Sequence, residues 1–285
     1  MNDFELDAAA RTDVGTERDH NEDACGTLAD GEGRAVLAVA DGVSLANGGE
    51  VASQMAVEVL LRAYREEAGP PGQRLYRAFQ QANIEIYDRA VAVPELRGMT
   101  TTLVAAVVDR GELTAVHAGD SRLYLLREGR IEQLTKDHTA AAEKVRYGMM
   151  SREKARTHPD RSVLTRSVGR ELIVSRDRLS QRLRQGDLLL LCSDGLYNVL
   201  EDDELARRCD GVGAEEACRA LLDEANRRGT PDNLTAAVLR LTGPVPGAEA
   251  PAPAGLGTRL RRLFRGRSGS GAVRRPAGAR SAPGR

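Results

Sequence analysis

Ala35-Val36-Leu37-Ala38-Val39-Ala40-Asp41-Gly42 is a run of small and β-branched apolar residues that ends on a carboxylate and a glycine. A continuous apolar run of this length is typical of a strand that is covered on both faces. Leu188-Leu189-Leu190-Leu191-Cys192-Ser193-Asp194-Gly195 repeats the pattern far downstream. A carboxylate at the end of an apolar strand is costly unless it is paired or binds a metal. The two stretches therefore indicate a shared cation, although two ordinary Asp-Gly turns would have the same sequence.

Further acids lie at other predicted strand edges. Asp120 lies between two predicted strands, and Asp232 comes just before the last one. Glu22 and Asp23 close a charged segment that would be a solvated loop if it stood alone. Because that segment precedes the first Asp-Gly strand, its acids are candidates for the same site.

The residue types at these positions indicate a particular chemistry. Carboxylate ligands with no histidine or cysteine nearby select magnesium or manganese over zinc. Two such ions about 4 Å apart can lower the pKa of a water and stabilise both oxygens of an in-line displacement at phosphorus. An arginine is then needed for the charge of the phosphate, and Arg18 supplies a bidentate fork.

Hydrophobic periodicity predicts helices and strands between these acids. Helices are predicted over about 48–67, 72–91, 139–149, 151–156, 202–209 and 214–227, and strands over 5–10, 100–109, 113–118, 122–127 and 234–241. The short turns between the three central strands predict antiparallel pairing. The less regular region 135–170 predicts a movable flap.

The composition is that of a soluble protein with an aliphatic core. Hydrophobic residues make up 41% of the 285 residues, and aromatic residues only 3%. No apolar run approaches the roughly 20 residues that span a bilayer, and the acidic N-terminus lacks a signal-peptide pattern. We therefore expect a cytoplasmic protein without a transmembrane segment. In that compartment its four cysteines are expected to be buried and unpaired.

Charge is distributed unevenly along the chain. From Gly255 to the end there are nine arginines and no acid, so the rest of the chain carries 32 basic against 42 acidic residues. The Pro, Ala, Gly, Ser and Arg composition beyond residue 243 cannot bury enough apolar surface to order itself. We predict a catalytic domain over 1–242 and a disordered basic tail over 243–285. The tail is expected to be a tether with affinity for acidic surfaces, not a specific nucleic-acid binder.

Taken in order, the motifs resemble those of the metal-dependent protein serine/threonine phosphatases of type 2C, the PPM family, in their bacterial form. They are Arg18-x-x-Asn21-Glu22-Asp23, Asp41-Gly42, Gly48-Gly49-Glu50-Val51-Ala52-Ser53, Thr100-Thr101-Thr102, Ala118-Gly119-Asp120-Ser121-Arg122, Asp137-His138, Leu164-Thr165-Arg166-Ser167-Val168-Gly169, Cys192-Ser193-Asp194-Gly195 and Asp232-Asn233. The resemblance covers about residues 5–241. It implies an α+β fold, a four-layer α-β-β-α sandwich with two central antiparallel sheets.

The resemblance also implies a dinuclear Mn²⁺ or Mg²⁺ site at one end of the sandwich. By position, Asp41 would bridge both ions. Asp194 and Asp232 would complete the ligands of the first ion, and the Gly42 carbonyl with Glu22 would serve the second.

Other roles follow from the same resemblance. Asp23 would orient a metal-bound water, and Arg18 would hold the phosphate. Asp120 with Asp194 would form a third, weaker metal site. His138 is expected to make structural hydrogen bonds rather than to take part in the reaction.

One departure concerns the loop after Gly42. Many relatives have histidine or methionine there and then two glycines, whereas this chain has Val43-Ser44-Leu45. Where a relative's histidine protonates the leaving alkoxide, Val43 cannot, so a metal-bound water would have to do so.

The resemblance implies hydrolysis of phosphoserine and phosphothreonine in proteins, opposing a serine/threonine kinase or acting on its targets, by a monomeric enzyme. The alternative is a catalytically weak phosphoprotein-binding regulatory module on the same fold, which only the Val43-Ser44-Leu45 loop favours. The complete set of acids favours the enzyme.

Overall fold

The computed structural model describes residues 5–29, 33–43 and 48–243. Its strands are β1 (Leu6–Asp13), β2 (Asp23–Ala29), β3 (Arg34–Val43), β4 (Thr100–Thr101), β5 (Leu103–Asp109), β6 (Glu112–Ala118), β7 (Arg122–Arg127), β8 (Arg130–Gln133), β9 (Asp177–Arg182), β10 (Leu188–Cys192) and β11 (Leu234–Leu241). Its α-helices are α1 (Gly49–Glu66), α2 (Pro71–Ala92), α3 (Ala140–Arg146), α4 (Arg152–Arg156), α5 (Asp194–Tyr197), α6 (Asp202–Cys209) and α7 (Ala214–Arg227). Two short 3₁₀ helices cover Pro94–Leu96 and Pro159–Ser162.

The strands form two antiparallel sheets. One has the order β1-β11-β10-β7-β8, and the other has the order β2-β3-β5-β6-β9, with β4 paired to β3. Helices α1 and α2 pack on the outer face of the second sheet, whereas α5, α6 and α7 pack on the outer face of the first. A third apolar core lies between the sheets. The α+β fold expected from the sequence, with four α-β-β-α layers, is confirmed.

Strand β3 belongs to two of these cores at once. Val36 and Ala38 pack toward α1 and α2, whereas Leu37 and Val39 pack between the sheets. Because successive side chains point to opposite faces of a strand, a strand that is covered on both sides has to be apolar throughout. The prediction of a doubly covered strand is confirmed, although the strand continues through Asp41 to Val43 and does not end at the carboxylate.

Three strands were not predicted. Strand β2 contains Gly26, where an added Cβ would lie 2.8 Å from Leu61 Cδ1 of α1. The glycine allows the helix to pack closely, but it also removes the apolar signal of a strand. Strands β8 and β9 lie at sheet edges and expose every second residue. Because an edge strand buries little apolar surface, its polar sequence resembles that of a loop.

Two predicted elements have different bounds. The strand predicted over 100–109 is divided at Thr102, whose backbone N–H donates to the Asp41 carbonyl at 2.8 Å. The helix predicted over 139–149 ends at Arg146, three residues early, and is followed by Gly148 with a φ of 71°. A left-handed glycine at this position is a common helix end.

No helix in the described part of the chain has the length and apolar character that crossing a bilayer would need. All four cysteines are free thiols, and burial raises their pKa values. The tail predicted over 243–285 lies outside the described residues, apart from Gly243.

Candidate metal centre

The predicted acids come together at one end of the two sheets. Asp41 lies near the end of β3, and its partner in the neighbouring strand β2 is Asp23. Asp120 lies in the turn between β6 and β7, and Asp194 is the first residue of α5, just after β10. Asp232 lies two residues before β11, the neighbour of β10. Each element therefore delivers one carboxylate to the same end of the sandwich.

Burial and mutual repulsion raise the pKa values of three of these carboxyl groups. Burial raises the pKa of Asp41 well above its usual range, and the charges of Asp23, Asp194, Asp120 and Asp232 raise it further. Burial together with the charge of Asp194 does the same for the pKa of Asp120. The pKa of Asp194 is raised to about 6, by burial first and then by Asp232.

This donor set fits a divalent cation. Asp23 and Asp120 are buried and Asp41, Asp194 and Asp232 are half-buried, and several charges of one sign at a poorly solvated site are costly unless cations neutralise them. The Gly42 carbonyl lies beside Asp41 and adds a further oxygen donor. Oxygen donors of this kind suit Mg²⁺ or Mn²⁺.

Asp23 lies beneath this cluster and has two hydroxyl partners. Its Oδ2 accepts hydrogen bonds from Ser193 Oγ at 2.6 Å and from Thr235 Oγ1 at 2.7 Å. Its pKa is nevertheless raised to about 7, mainly by burial. Ser193 belongs to one of the sequence motifs but no role was predicted for it, and Thr235 was not predicted at all. The available signal was sequence position, since Ser193 directly precedes the predicted ligand Asp194 and Thr235 lies three residues after the predicted ligand Asp232.

Glu22 and Gly42 are joined through the backbone. Gly42 N donates to the Glu22 carbonyl at 2.9 Å. The Glu22 carboxylate lies against the first turn of α1, because a Cβ added to Gly49 would come within 2.6 Å of Glu22 Oε1. A helix N-terminus favours a negative charge. The two glycines therefore let β3, the Glu22 loop and α1 approach one another at the site.

Asn233 holds the loop that carries Glu22. Its Oδ1 accepts from Glu22 N at 2.9 Å, and its Nδ2 donates to the carbonyls of Val14 and His20 at 2.8 and 2.9 Å. Its own backbone N–H donates to Asp232 Oδ1 at 2.9 Å. One buried amide thus links the N-terminal loop to the start of β11. Asn233 belongs to one of the sequence motifs, but its role in linking the two segments was not predicted.

Arg18 lies at the rim of the cluster. Its Nη2 is 3.0 Å from Asp232 Oδ1, and its Nε donates to the Pro231 carbonyl at 3.0 Å. The side chain is 47% exposed, and among the described residues its Nη1 makes no hydrogen bond. The predicted phosphate-binding arginine is therefore fixed beside a predicted metal ligand with one edge turned outward.

Contacts with Tyr197 and Arg122 fix the turn that carries Asp120. Tyr197 OH donates to the Asp120 carbonyl at 3.1 Å, and the Arg122 guanidinium stacks on the Tyr197 ring at 3.5 Å. Arg122 also forms a two-pronged ion pair with Asp137, with Nη2 to Oδ2 at 2.7 Å. None of these positioning contacts was predicted.

A second group of ligand-type side chains lies further along the sheet. In the described part of the chain, His117, His138 and Asp177 bring ligand atoms within 4.8 Å of one another, whereas the predicted acids form no group this compact. However, Arg166 Nη1 lies 2.6 Å from Asp177 Oδ1 and 3.2 Å from His138 Nε2. A guanidinium already supplies the positive charge there.

His138 has a structural environment. Its Nδ1 accepts from the backbone N–H of Gly119 at 3.2 Å, and its ring stacks on that of His117 with centroids 4.6 Å apart. Burial, His117 and Arg166 lower the pKa of His138 to about 4. A neutral imidazole that accepts from a backbone amide agrees with the hydrogen-bonding role expected from the sequence.

Comparison with known proteins gives a consistent result. Residues 16–240 match the family model described as "Protein phosphatase 2C". The serine/threonine phosphatase stp of Listeria monocytogenes is 36% identical over 236 residues, which are 81% of this chain and 94% of that relative.

Solved structures agree with these relatives. The serine/threonine phosphatase PstP/Ppp of Mycobacterium tuberculosis superposes with a TM-score of 0.75 at 36% identity, covering 83% of this chain and 99% of that one. A structure of the PstP catalytic domain in complex with two manganese ions superposes with a TM-score of 0.73 at 34% identity, covering 83% and 98% of the two chains.

Proposed function

The chain belongs to the protein phosphatase 2C family and is a metal-dependent enzyme that hydrolyses phosphoserine and phosphothreonine in proteins, and on this premise we propose which of its residues carry the reaction. The observation that supports the assignment is the convergence of carboxylates from separate strands and loops at one end of the two sheets, where burial and the neighbouring charges raise the pKa values of Asp41, Asp120 and Asp194. Its cofactor is Mn²⁺ or Mg²⁺, as in the PstP complex with manganese.

Five side chains and one carbonyl would hold the ions. Asp41 would bridge two of them, with Asp194 and Asp232 on the first and with Glu22 and the Gly42 carbonyl on the second. Asp120 with Asp194 would hold a third ion. When bound, such ions lower the pKa of a water and stabilise the charge that develops on phosphate oxygens.

The chain's own groups would position the substrate beside the ions. Within the described residues Nη1 of Arg18 makes no hydrogen bond, so it would donate to a phosphate oxygen while Pro231 and Asp232 fix its direction. Asp23 is held by the Ser193 and Thr235 hydroxyls and would accept a proton or a hydrogen bond from a water nearby.

Val43 has no proton to give, so this position supplies no acid for the leaving alkoxide. The alternative of a weak binding module rested on Val43-Ser44-Leu45, of which Ser44 and Leu45 lie outside the described residues. No contact in the described part of the chain favours that alternative.

Phosphorylated proteins are the substrates, and we propose a serine/threonine kinase or its targets among them. We also propose a monomer, with a catalytic domain over 1–242 and a basic tail over 243–285. A cytoplasmic location stays a prediction. A phosphoproteome comparison of cells with and without this chain would identify the substrates, as phosphosites that rise when it is absent.

Chelation tests the proposed chemistry. We expect EDTA to abolish phosphate release from a phosphothreonine peptide, manganese or magnesium to restore it, and okadaic-acid-type inhibitors to have no effect. A matched phosphotyrosine peptide is the control. Full turnover after exhaustive chelation would contradict the metal-dependent assignment.

A further inference from the structure

A cleft of about 580 Å³ opens beside the proposed metal centre. Val43 lines it, and Val43 directly follows Gly42 in β3. Thr100 of β4, which pairs with Val43 in the sheet, lines the cleft beside it. The remaining walls are the end of α2 with the loop after it, and residues 162–170. Because neighbouring Cα atoms are about 3.8 Å apart, the cleft begins within one residue of a proposed metal ligand.

Apolar side chains are exposed in and around this cleft. Val43 is 41% exposed and Val91 is 66% exposed, and both line the cleft together with Leu164. Val163, next to the lining residues Ser162 and Leu164, is 51% exposed. Exposed apolar side chains that line one cleft are typical of an interaction site.

The cleft also carries positive charge. Arg97 and Arg170 line it, and both side chains are exposed. Within the described ranges neither forms an ion pair, whereas Arg122 and Arg166 nearby are bound to aspartates. Two guanidinium groups beside apolar walls suit a ligand that carries a carboxylate next to an apolar side chain.

We propose that this cleft binds the part of the protein substrate next to the phosphorylated residue, with an apolar side chain against Val43 and Val91 and a neighbouring acidic side chain against Arg97 and Arg170. Because the cleft begins one residue from Gly42 and an extended chain advances about 3.3 Å per residue, we place the acid within three residues of the phosphorylated one. The proposal rests on the proposed function, because the substrate must first be anchored by its phosphate.

Paired peptides test this specificity. Phosphothreonine peptides are prepared that differ only by glutamate or glutamine at one position within three residues of the phosphothreonine, on either side. At low ionic strength we expect the wild-type chain to prefer glutamate at one of these positions by about fivefold in kcat/KM, the size expected for exposed ion pairs. The preference should fade at physiological salt.

Variants locate the preference in the cleft. In the double variant Arg97→Gln/Arg170→Gln, the ratio between the two peptides should fall to about one. Each variant is judged by the ratio of two peptides that it turns over itself, so a loss of folded enzyme lowers both values and leaves the ratio interpretable. Arg219→Gln, at an exposed arginine of α7 outside the cleft, is the matched control and should keep the preference.

A charge-reversed pair gives a second readout. Arg97→Glu/Arg170→Glu should prefer a peptide with lysine at the same position over one with glutamine. The proposal is overturned if the wild-type chain shows no glutamate preference, or if the double glutamine variant keeps it. It is also overturned if a second phosphoserine, and not glutamate, is preferred there.

The proposed function has its own control. Release of p-nitrophenol from p-nitrophenyl phosphate by the wild-type chain with manganese reports the metal centre alone, since this small ester has no flanking residues. An active wild-type chain without peptide preference removes only the cleft proposal. A wild-type chain that is inactive on the ester and on every peptide removes the proposed function.

Discussion

Gly42 has no room for a side chain. A Cβ there would overlap with the Gly49 carbonyl and come within 2.7 Å of the Glu22 carbonyl oxygen. Because both are backbone atoms at the start of α1 and in the adjoining loop, neither can move without shifting two elements. We expect Gly42→Ala to destabilise the fold by about 2 kcal/mol and to abolish metal-dependent turnover, measured by thermal unfolding and ester hydrolysis.

Gly26→Ala is the control for this prediction. Its Cβ would meet side-chain atoms only, Leu61 Cδ1 at 2.8 Å and Val57 Cγ1 at 2.9 Å, so it would disturb the packing of α1 on β2 but not the backbone at the proposed ligands. It should keep turnover per folded molecule. Equal activity in Gly42→Ala would show that the close approach of β3 and α1 has no part in the site.

Asp120 gives a graded residue-scale prediction. It is the acid whose proposed role is confined to the third ion, so Asp120→Ala should reduce activity and raise the manganese concentration needed for it. The folded state should survive, because the substitution removes a buried charge that Asp194 repels. Titrating activity against manganese for both chains checks this. An unchanged titration curve would show that Asp120 binds no functional ion.

At the scale of elements, His138 makes stability depend on pH. Its pKa is about 4 in the fold, held down by burial, His117 and Arg166, against an ordinary value of 6.5. As pH falls from 6.5 to 4 the unfolded chain takes up a proton that the folded chain does not, so the free energy of unfolding decreases. Asp177 has a lowered pKa and adds its own loss only at lower pH.

We expect this group to remove up to about 3 kcal/mol of stability between pH 6.5 and 4. Denaturant unfolding of the wild-type chain and of His138→Gln across this range measures it. As the pH falls the wild-type chain should lose stability relative to the variant, whereas the carboxyl groups with raised pKa values contribute equally to both chains. Identical slopes would mean that His138 titrates normally in the fold.

The sequence predicted elements well where burial is one-sided or complete. The helices α1 and α2 and the strands β3 and β10 agree with the apolar patterns of Val51 to Leu60 and of Leu188 to Leu191. Local sequence patterns did not predict β2, β8 and β9. In β2 a glycine that allows helix packing interrupts the apolar pattern, and in the edge strands β8 and β9 the polar residues show no hydrophobic periodicity. These strands are stabilised by pairing with neighbouring strands, and a local sequence pattern carries no information about that pairing.

For the site, the sequence supplied the ligands but not what holds them. Strand-edge acids can be recognised because a carboxylate after an apolar run is unusual. Their supports are ordinary residues, such as Thr235 beneath Asp23 and Tyr197 behind Asp120. A threonine in a strand or a tyrosine in a helix usually has no role of this kind, so these partners become visible only once β10 and β11 are placed side by side.

At the scale of the whole molecule, the hydrogen bonds at the end of β11 indicate where a truncation that removes the proposed tail should end. Thr242 N donates to the Glu5 carbonyl at 3.0 Å, and Leu241 N donates to the Asp187 carbonyl at 3.0 Å. A chain that stops after Leu241 would lose the first contact, so a chain of residues 1–243 is the better test of the proposed tail. We expect it to hydrolyse a small phosphate ester within about twofold of the full chain, because exposed charges are screened beyond about 8 Å.

The same pair of chains tests a role for the tail. On an acidic protein substrate they should differ at low ionic strength and converge at physiological salt. A truncated chain that unfolds, or that loses its ester activity, would show that residues beyond 243 are part of the fold.

The most direct test of the metal centre combines binding and turnover in the Asp41→Asn variant, with Asp88→Asn on the exposed face of α2 as control. Manganese is titrated calorimetrically into each chelated chain, and phosphate release from a phosphothreonine peptide is measured on the same samples. Without metal, Asp41→Asn should be at least as stable as the wild-type chain, because it removes a buried charge that four other carboxylates repel. With manganese, it should bind the ions weakly and lose turnover by about a thousandfold or more, while Asp88→Asn behaves as wild type. Wild-type manganese binding and peptide turnover by Asp41→Asn would contradict the assignment of this cluster as the catalytic metal centre.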